Sequence, residues 1–191
     1  MPSAHQTSGS LAGQLLVAMP QMGDARFERT VIYLCAHGKD GALGLVVNRP
    51  FRKITFPDLL GQLDIEAGPG TPSIRVLAGG PVEESRGFVL HSDDYVRQDT
   101  LKVEGGYALT ATVEILKALA RGEGPQRSLL ALGYSGWGPG QLEREMAANG
   151  WLNVPAEEAI VFDHELDTKW ERALARLGLT PGTLSGAAGR A

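Results

Sequence analysis

Cysteine is all but missing from this chain of 191 residues, where Cys35 stands alone. An internal disulfide is therefore impossible, no oxidising compartment is required, and a zinc cage would need three further ligands. Histidine is scarce too, at four residues, and none falls into the HxxxH, HxH or HExxH spacing of metal centres. Long apolar runs are lacking: no segment approaches the ~20 residues of a membrane helix. The opening, Met1 to Gly13, has neither a basic start nor an apolar stretch, so it does not read as an export signal. Basic charge is in short supply, with 18 Lys and Arg against 22 Asp and Glu for a net charge of -4. Arg75, Arg86, Arg97 and Lys102 are scattered among acids, and no helix-turn-helix with a basic second helix can be placed. These absences argue against direct nucleic-acid binding. They predict a soluble cytoplasmic protein with no membrane partner, no metal and no cofactor.

What is present is ordinary globular composition, 43% hydrophobic and 21% charged, enough for a sizeable core in one domain. Residues 1–12 read as a disordered tail and 13–191 as a single domain. Leu15 to Met19 is an apolar run stopped by Pro20, and Arg29 to His37 is rich in branched and aromatic residues, as strands are. Lys39-Asp40-Gly41 then reads as the turn of a hairpin returning through Leu43 to Asn48. The period changes at Phe56, Leu59, Leu60 and Leu63, one face of a helix capped by Thr55. Strands are expected at Ile74 to Ala78, Gly87 to His91, on both sides of Gly105-Gly106, at Leu129 to Gly133 and at Ala159 to Phe162. Further helices are expected at Val113 to Arg121, at Pro139 to Ala148 with Pro139 just inside the start, and after Asp167, which would cap the Trp170, Ala173, Leu174, Leu177 face. Strands first, then mixed helices and strands, predict an α+β fold. No repeat at a period of about 20–50 residues is present.

Several blocks carry a resemblance. Met19-Pro20, Asp24, Phe27-Glu28-Arg29, Val31-Ile32-Tyr33, Cys35, His37 and Gly41 to Pro50 open it. Gly79-Gly80-Pro81-Val82, Arg86 to His91, Gly133 to Glu143, Trp151-Leu152, Phe162-Asp163, Trp170 and Ala187 to Ala191 continue it. Together the chain resembles the YqgE/AlgH family of bacterial proteins from Gly13 onward. The resemblance implies a barrel-like, largely antiparallel sheet flanked by helices. It implies no catalytic residues, and a regulatory role only through the AlgH name. Arg190 stands where the family more often has histidine.

The residues most suggestive of chemistry are Gly133-Tyr134-Ser135-Gly136-Trp137-Gly138-Pro139-Gly140, read as a loop between a strand and a helix. Glycines there would let backbone approach a ligand, and a helix start offers unpaired N–H groups. A phosphate loop would need lysine where Gln141-Leu142 stands, the glycine spacing is not GxGxxG, and a nucleophile elbow would need glycine at Trp137. A tight turn clamped by Trp137 explains the same glycines without a ligand. Cys35 and His37 share a strand face, but i and i+2 residues lie ~6.6 Å apart, long for a hydrogen bond. Free cysteine is more commonly a small buried hydrophobe. His91 with Asp93 and Asp94 lacks metal spacing, and Arg86 can pair locally with Glu83 or Glu84.

The expectation is a cytoplasmic, non-catalytic protein that binds a small ligand or a protein partner and regulates indirectly. Its expected ligand-binding residues are Gly80, Arg86, His91, Tyr134, Ser135, Gly136, Trp137, Gly138 and Gln141. The alternative is a hydrolase-like enzyme using Ser135 or Cys35 with His37, His91 or His164. Hydrogen-bond contact between nucleophile and imidazole separates the two. Oligomeric state is left open.

Overall fold

The computed structural model describes residues 9–188. The apolar segments at the start of the chain become β1 (Gln14–Ala18), β2 (Val31–Gly38) and β3 (Gly41–Val46), with β2 and β3 paired antiparallel as the expected hairpin. The helix with mixed period forms as α1 (Phe56–Gln62), and Thr55 makes a full capping box with Asp58. There follow β4 (Val76–Ala78), β5 (Val82–Ser92), β6 (Leu101–Val103), β7 (Tyr107–Thr110), α2 (Val113–Ala120), β8 (Ser128–Trp137), α3 (Gln141–Ala147), β9 (Trp151–Pro155), α4 (Glu158–Val161), α5 (Lys169–Ala175) and α6 (Pro181–Ala188). The strands form one sheet in the order β6-β7-β5-β8-β3-β2-β1-β9, and β4 adds a parallel pairing to β8. The sheet curls into a half-barrel, giving the expected α+β class.

Both faces of the central strands are covered. Leu15, Val17, Tyr33, Leu45, Phe88 and Leu90 line one core, closed by Trp170, Ala173 and Leu174 of α5. The alternating residues Leu16, Ile32, Leu34 and Val46 face the other way, toward Trp137, Trp151 and Leu142 of α3. A separate cluster seats α1 and α2 through Phe56, Leu60, Ile115 and Leu119 against Val89, Leu130 and Leu132. Burial of each such side chain contributes roughly 1.5–3 kcal/mol, so the sheet is stabilised from both sides.

Four local expectations need correction. Gly133 to Trp137 is not a loop: β8 runs through it, pairing Ser135 with Gly44 and Trp137 with Ala42. Ala159 to Phe162 is not a strand but lies in and beside α4, where the Glu157 carbonyl accepts from the Ile160 and Val161 amides; a short apolar run has no period to distinguish the two. Pro139 lies outside α3, whose N-cap is Gly140 in the left-handed region at φ 71°. Asp167 sits within a 3-10 turn, Leu166–Thr168, ahead of α5 and does not cap that helix. Strand β9 and helix α6 were not foreseen. The tail expected through residue 12 is pinned at its end, where Leu11 N–H donates to His37 Nδ1 and Gly13 N–H to the Leu34 carbonyl. Residues 1–8 and Arg190 lie outside the described residues.

At one point two backbones meet with no room between them. A Cβ on Gly80 would lie 2.2 Å from the Tyr134 carbonyl carbon and oxygen, and one on Gly79 would lie 2.3 Å from the Gly133 carbonyl oxygen. Glycine is required because backbone, unlike a flexible side-chain tip, cannot step aside. Gly80→Ala is expected to lower the stability of the folded chain by ~1–3 kcal/mol or more, measured as the shift of the urea unfolding midpoint. A midpoint unchanged from wild type would show that the strands part freely here.

Candidate functional site

The residues expected to bind a ligand separate into several places. Ser135 is fully buried and its Oγ donates to the Gly79 carbonyl at 3.2 Å. Trp137 is buried edge-on against Trp151 at 5.9 Å. His91 is fully buried: Nδ1–H donates to the Ser92 carbonyl at 2.7 Å, so Nε2 accepts from the Thr110 hydroxyl at 2.8 Å. Burial is the largest influence on that ring and pushes its pKa down. Gly136, Gly138 and Gln141 are exposed around the end of β8, where Gln141 Oε1 accepts from the Gly138 amide at 2.9 Å. Arg86 lies over the Phe88 ring, 5.0 Å from its centroid, and Tyr134 meets the same ring edge-on at 5.8 Å. The structure thus brings Gly80, Tyr134 and Ser135 together as packing, sets Arg86 beside Tyr134 across Phe88, and leaves His91 and Gln141 apart from them. Of the expected ligand contacts, Ser135 and His91 are fully buried and Trp137 is 6% exposed.

The nucleophile–imidazole pairs that the hydrolase alternative names are not brought together among the described residues. Cys35 is buried, its Sγ–H donates to the Tyr33 carbonyl at 3.8 Å, and burial pushes the thiol up to about 12. Among the described residues neither Ser135 nor Cys35 has a hydrogen bond to an imidazole. His37 is engaged at both ring nitrogens: Nδ1 accepts from Leu11 N–H, so Nε2–H donates to Glu143 at 2.5 Å. At His164 the backbone carbonyl accepts from Arg75.

A different concavity is built by the connection between β1 and β2. After Ala18 the chain makes two 3-10 turns, Pro20–Met22 and Ala25–Phe27, joined at Gly23 with φ 70°. Asp24 caps the second turn through the Arg26 amide and also holds the Arg26 guanidinium at 2.8 Å, which keeps its carboxyl below the usual range. The end of the connection is clamped from the strand that follows β2. Asn48 Oδ1 accepts from the Val31 amide at 2.9 Å while its Nδ2 donates to the Arg29 carbonyl at 2.9 Å. The Arg49 guanidinium donates to the carbonyls of Arg26 and Glu28. These bonds hold Arg29 at φ 55°, a left-handed conformation that a non-glycine residue adopts only where its surroundings compel it.

Opposite this connection stands α5. Trp170 is buried, its indole N–H donates to the Ala18 carbonyl at 2.9 Å, and the Arg29 guanidinium lies 4.6 Å from its ring centroid. Between them opens a cleft of about 420 Å³ lined by Ala18, Met19, Pro20, Met22, Gly23, Asp24, Ala25, Glu28, Arg29, Trp170 and Pro181. Sequence reasoning passed over it because proline, methionine and single charges carry no catalytic signature. The available signal was the density of unusual residues in Met19-Pro20, Asp24 and Phe27-Glu28-Arg29, together with Asn48-Arg49, all in segments that carried the family resemblance.

Beside Trp170, Lys169 points the other way and is 1% exposed. Its Nζ donates to the Val47 carbonyl at 3.0 Å and the Val161 carbonyl at 2.8 Å, joining α5 to the end of β3 and to α4. Two acceptors match the two N–H bonds of a neutral amine and leave the third proton of an ammonium without a partner. Burial accordingly lowers this amine from 10.5 to about 7, against the opposing pull of Asp163.

The fold is thus a curled half-barrel of α+β class in which, among the described residues, Ser135 and Cys35 are both buried. The chain belongs to the AlgH-like family, which it matches over residues 15–182. It is 54% identical to a UPF0301 protein of Afipia carboxidovorans, covering all of this chain and 96% of that one, and 54% identical to a UPF0301 protein of Methylocella silvestris, covering 95% and 92%. The solution structure of AlgH from Pseudomonas aeruginosa superposes with a TM-score of 0.79 at 40% identity over 99% of this chain and 100% of that one. The crystal structure of DIP2367 from Corynebacterium diphtheriae has the same fold, with a TM-score of 0.73 at 18% identity over 91% and 90% of the two chains. The resemblance read from the sequence blocks is therefore correct.

Two solution measurements follow from the buried groups. In the unfolded chain Lys169 keeps its proton up to its ordinary value of 10.5, whereas in the fold it releases it near 7. The unfolded state therefore binds more protons above pH 7, and stability rises with pH. Between pH 7 and 8.5, before ionisation of the Cys35 thiol in the unfolded chain offsets the trend, the gain is up to ~2 kcal/mol. Urea midpoints across this range should climb in wild type and stay level in Lys169→Met; a level wild-type series would mean the ammonium is retained. Cys35 should react with a thiol reagent far more slowly in the folded chain than in urea, and equal rates would contradict its burial.

Proposed function

We propose that this chain is a non-catalytic cytoplasmic protein that binds a small organic ligand in the cleft between the β1–β2 connection and α5, with an indirect regulatory role. The observation that carries the reading is the cleft itself, about 420 Å³ and walled by a segment fixed through Asn48 and Arg49. That volume falls within the roughly 300–1,000 Å³ typical of small-molecule sites, which are mostly apolar with a few placed polar groups and largely formed in advance. Met19, Met22 and Trp170 supply apolar, polarisable contact surface, and Asp24, Glu28 and Arg29 supply the polar groups. Rigidity of the wall lowers the ordering cost of binding. The lack, among the described residues, of a nucleophile with an imidazole partner favours binding over turnover.

Native mass spectrometry of the protein purified from its own host tests this. Ala25 is exposed at the rim, so Ala25→Trp fills the cleft without entering the core. A small-molecule adduct is expected on wild type and not on Ala25→Trp, with equal unfolding midpoints. The same adduct on both proteins would place the ligand elsewhere, and its conversion to a product would favour the enzyme reading.

A further inference from the structure

We propose that the cleft selects a ligand in which a positively charged nitrogen is carried on an apolar body, and that the Glu28 carboxylate is the anchor for that charge. The inference deepens the preceding reading and rests on it. Most of the charges at the cleft are already engaged. Asp24 is paired with Arg26 in a two-point ion pair. Arg29 lies over Trp170 and reaches Glu171 at 3.4 Å. An anion competing for Arg29 would have to displace one of those contacts. Glu28 lines the same cleft, is exposed, and among the described residues its carboxylate has no hydrogen bond or ion pair, although its backbone carbonyl is held by Arg49. Among the charged side chains lining the cleft, the one left without an ion pair is thus a carboxylate, while the Arg49 guanidinium is engaged by the carbonyls of Arg26 and Glu28.

The backbone that carries that charge is held in place. Glu28 stands between the 3-10 turn Ala25–Phe27 and the constrained Arg29, and Arg49 secures the carbonyls of both Arg26 and Glu28. Few backbone conformations are open to it, so the ordering left for binding is that of the Glu28 side chain. The remaining lining, Ala18, Met19, Pro20, Met22, Ala25 and Trp170, is uncharged. It suits an alkyl or aromatic body, since methionine sulfur and ring edges make favourable contacts. A neutral body alone would leave the carboxylate hydrated at the rim, and an acidic one would face it in repulsion. A protonated amine satisfies both parts of the site.

The probes are 2-phenylethylamine, its neutral counterpart 2-phenylethanol and the acid 3-phenylpropionate, each titrated into the full chain. Binding is followed by NMR through the Trp170 indole N–H and the Met22 methyl. The amine should bind roughly three- to fivefold tighter than the alcohol, the scale of an exposed ion pair, and the acid most weakly. Added salt should shrink the amine's advantage. Glu28→Gln should bring the amine to the affinity of the alcohol while leaving the alcohol unchanged. Tightest binding by the acid, or an amine-to-alcohol ratio that survives Glu28→Gln, would overturn the proposal. If none of the probes moves these signals while Ala25→Trp still removes the host-derived adduct, the cleft reading stands and the amine preference falls. If neither experiment involves the cleft, both fall together.

Discussion

The backbone contact between Gly79-Gly80 and Gly133–Ser135 is the constraint around which this molecule is arranged. Strand β8 is shared: β5 pairs along one edge, β3 along the other end, and β4 runs parallel beside it. One strand can serve so many neighbours only if the chain crossing near its middle brings no side chains, and glycine alone allows that. The Ser135 hydroxyl then closes the crossing by donating to the Gly79 carbonyl. Register follows from it. Val82 pairs with Tyr134 and Gly87 with Leu132, so the residues between them leave the ladder as an exposed bulge carrying Arg86 and Glu83, the latter at φ 47°.

From β8 the consequences run through β3 and β2 to the cleft. The hairpin places Asn48 and Arg49 just past the end of β3, and their polar ends reach the carbonyls of the β1–β2 connection. Backbone groups in an irregular segment need partners, and here side chains from a neighbouring strand supply them. The cleft is therefore an extension of the sheet, held by the same hairpin that forms the core. Helix α5 completes it with adjacent residues pointing oppositely: Trp170 toward the cleft floor and the Ala18 carbonyl, Lys169 toward Val47 and Val161.

The sequence was most legible where period and caps coincide. The Thr55 cap, the apolar run that opens at Leu15, and the Gly105-Gly106 reversal each have a local cause and appear where they were expected. Legibility ended where tertiary pairing overrides local chemistry. Gly133 to Trp137 carries the composition of a loop, yet β3 and β5 draw it into a strand because its glycines permit close approach. Ile160-Val161 is apolar enough for a strand and instead forms a helix turn bonded to the Glu157 carbonyl. The candidate site fared worse than the fold. Glycines and histidines signal chemistry in isolation, but His91 and Ser135 spend their polar atoms on internal partners. The cleft is made of residues whose meaning lies in their arrangement: an arginine in a left-handed conformation, a tryptophan from the far end of the chain, and an acid whose carboxylate is unpaired among the described residues.

The pairing of β1 with β9, from Gln14↔Pro155 to Ala18↔Trp151, has a consequence for how the protein is made. On the ribosome the N-terminal strand emerges first and can form the β1–β2–β3 meander at once, since those contacts are local. Its other edge stays bare until β9 and α5 have been synthesised. Through that interval Leu15, Val17, Tyr33 and Leu45 have no α5 to cover them, and an open apolar strand edge invites pairing with other chains. Long-range closure of this kind is slow relative to local pairing. Chains halted before Trp170 would therefore present their core to solvent, which makes the integrity of the C-terminal part a condition for release of a properly sealed sheet.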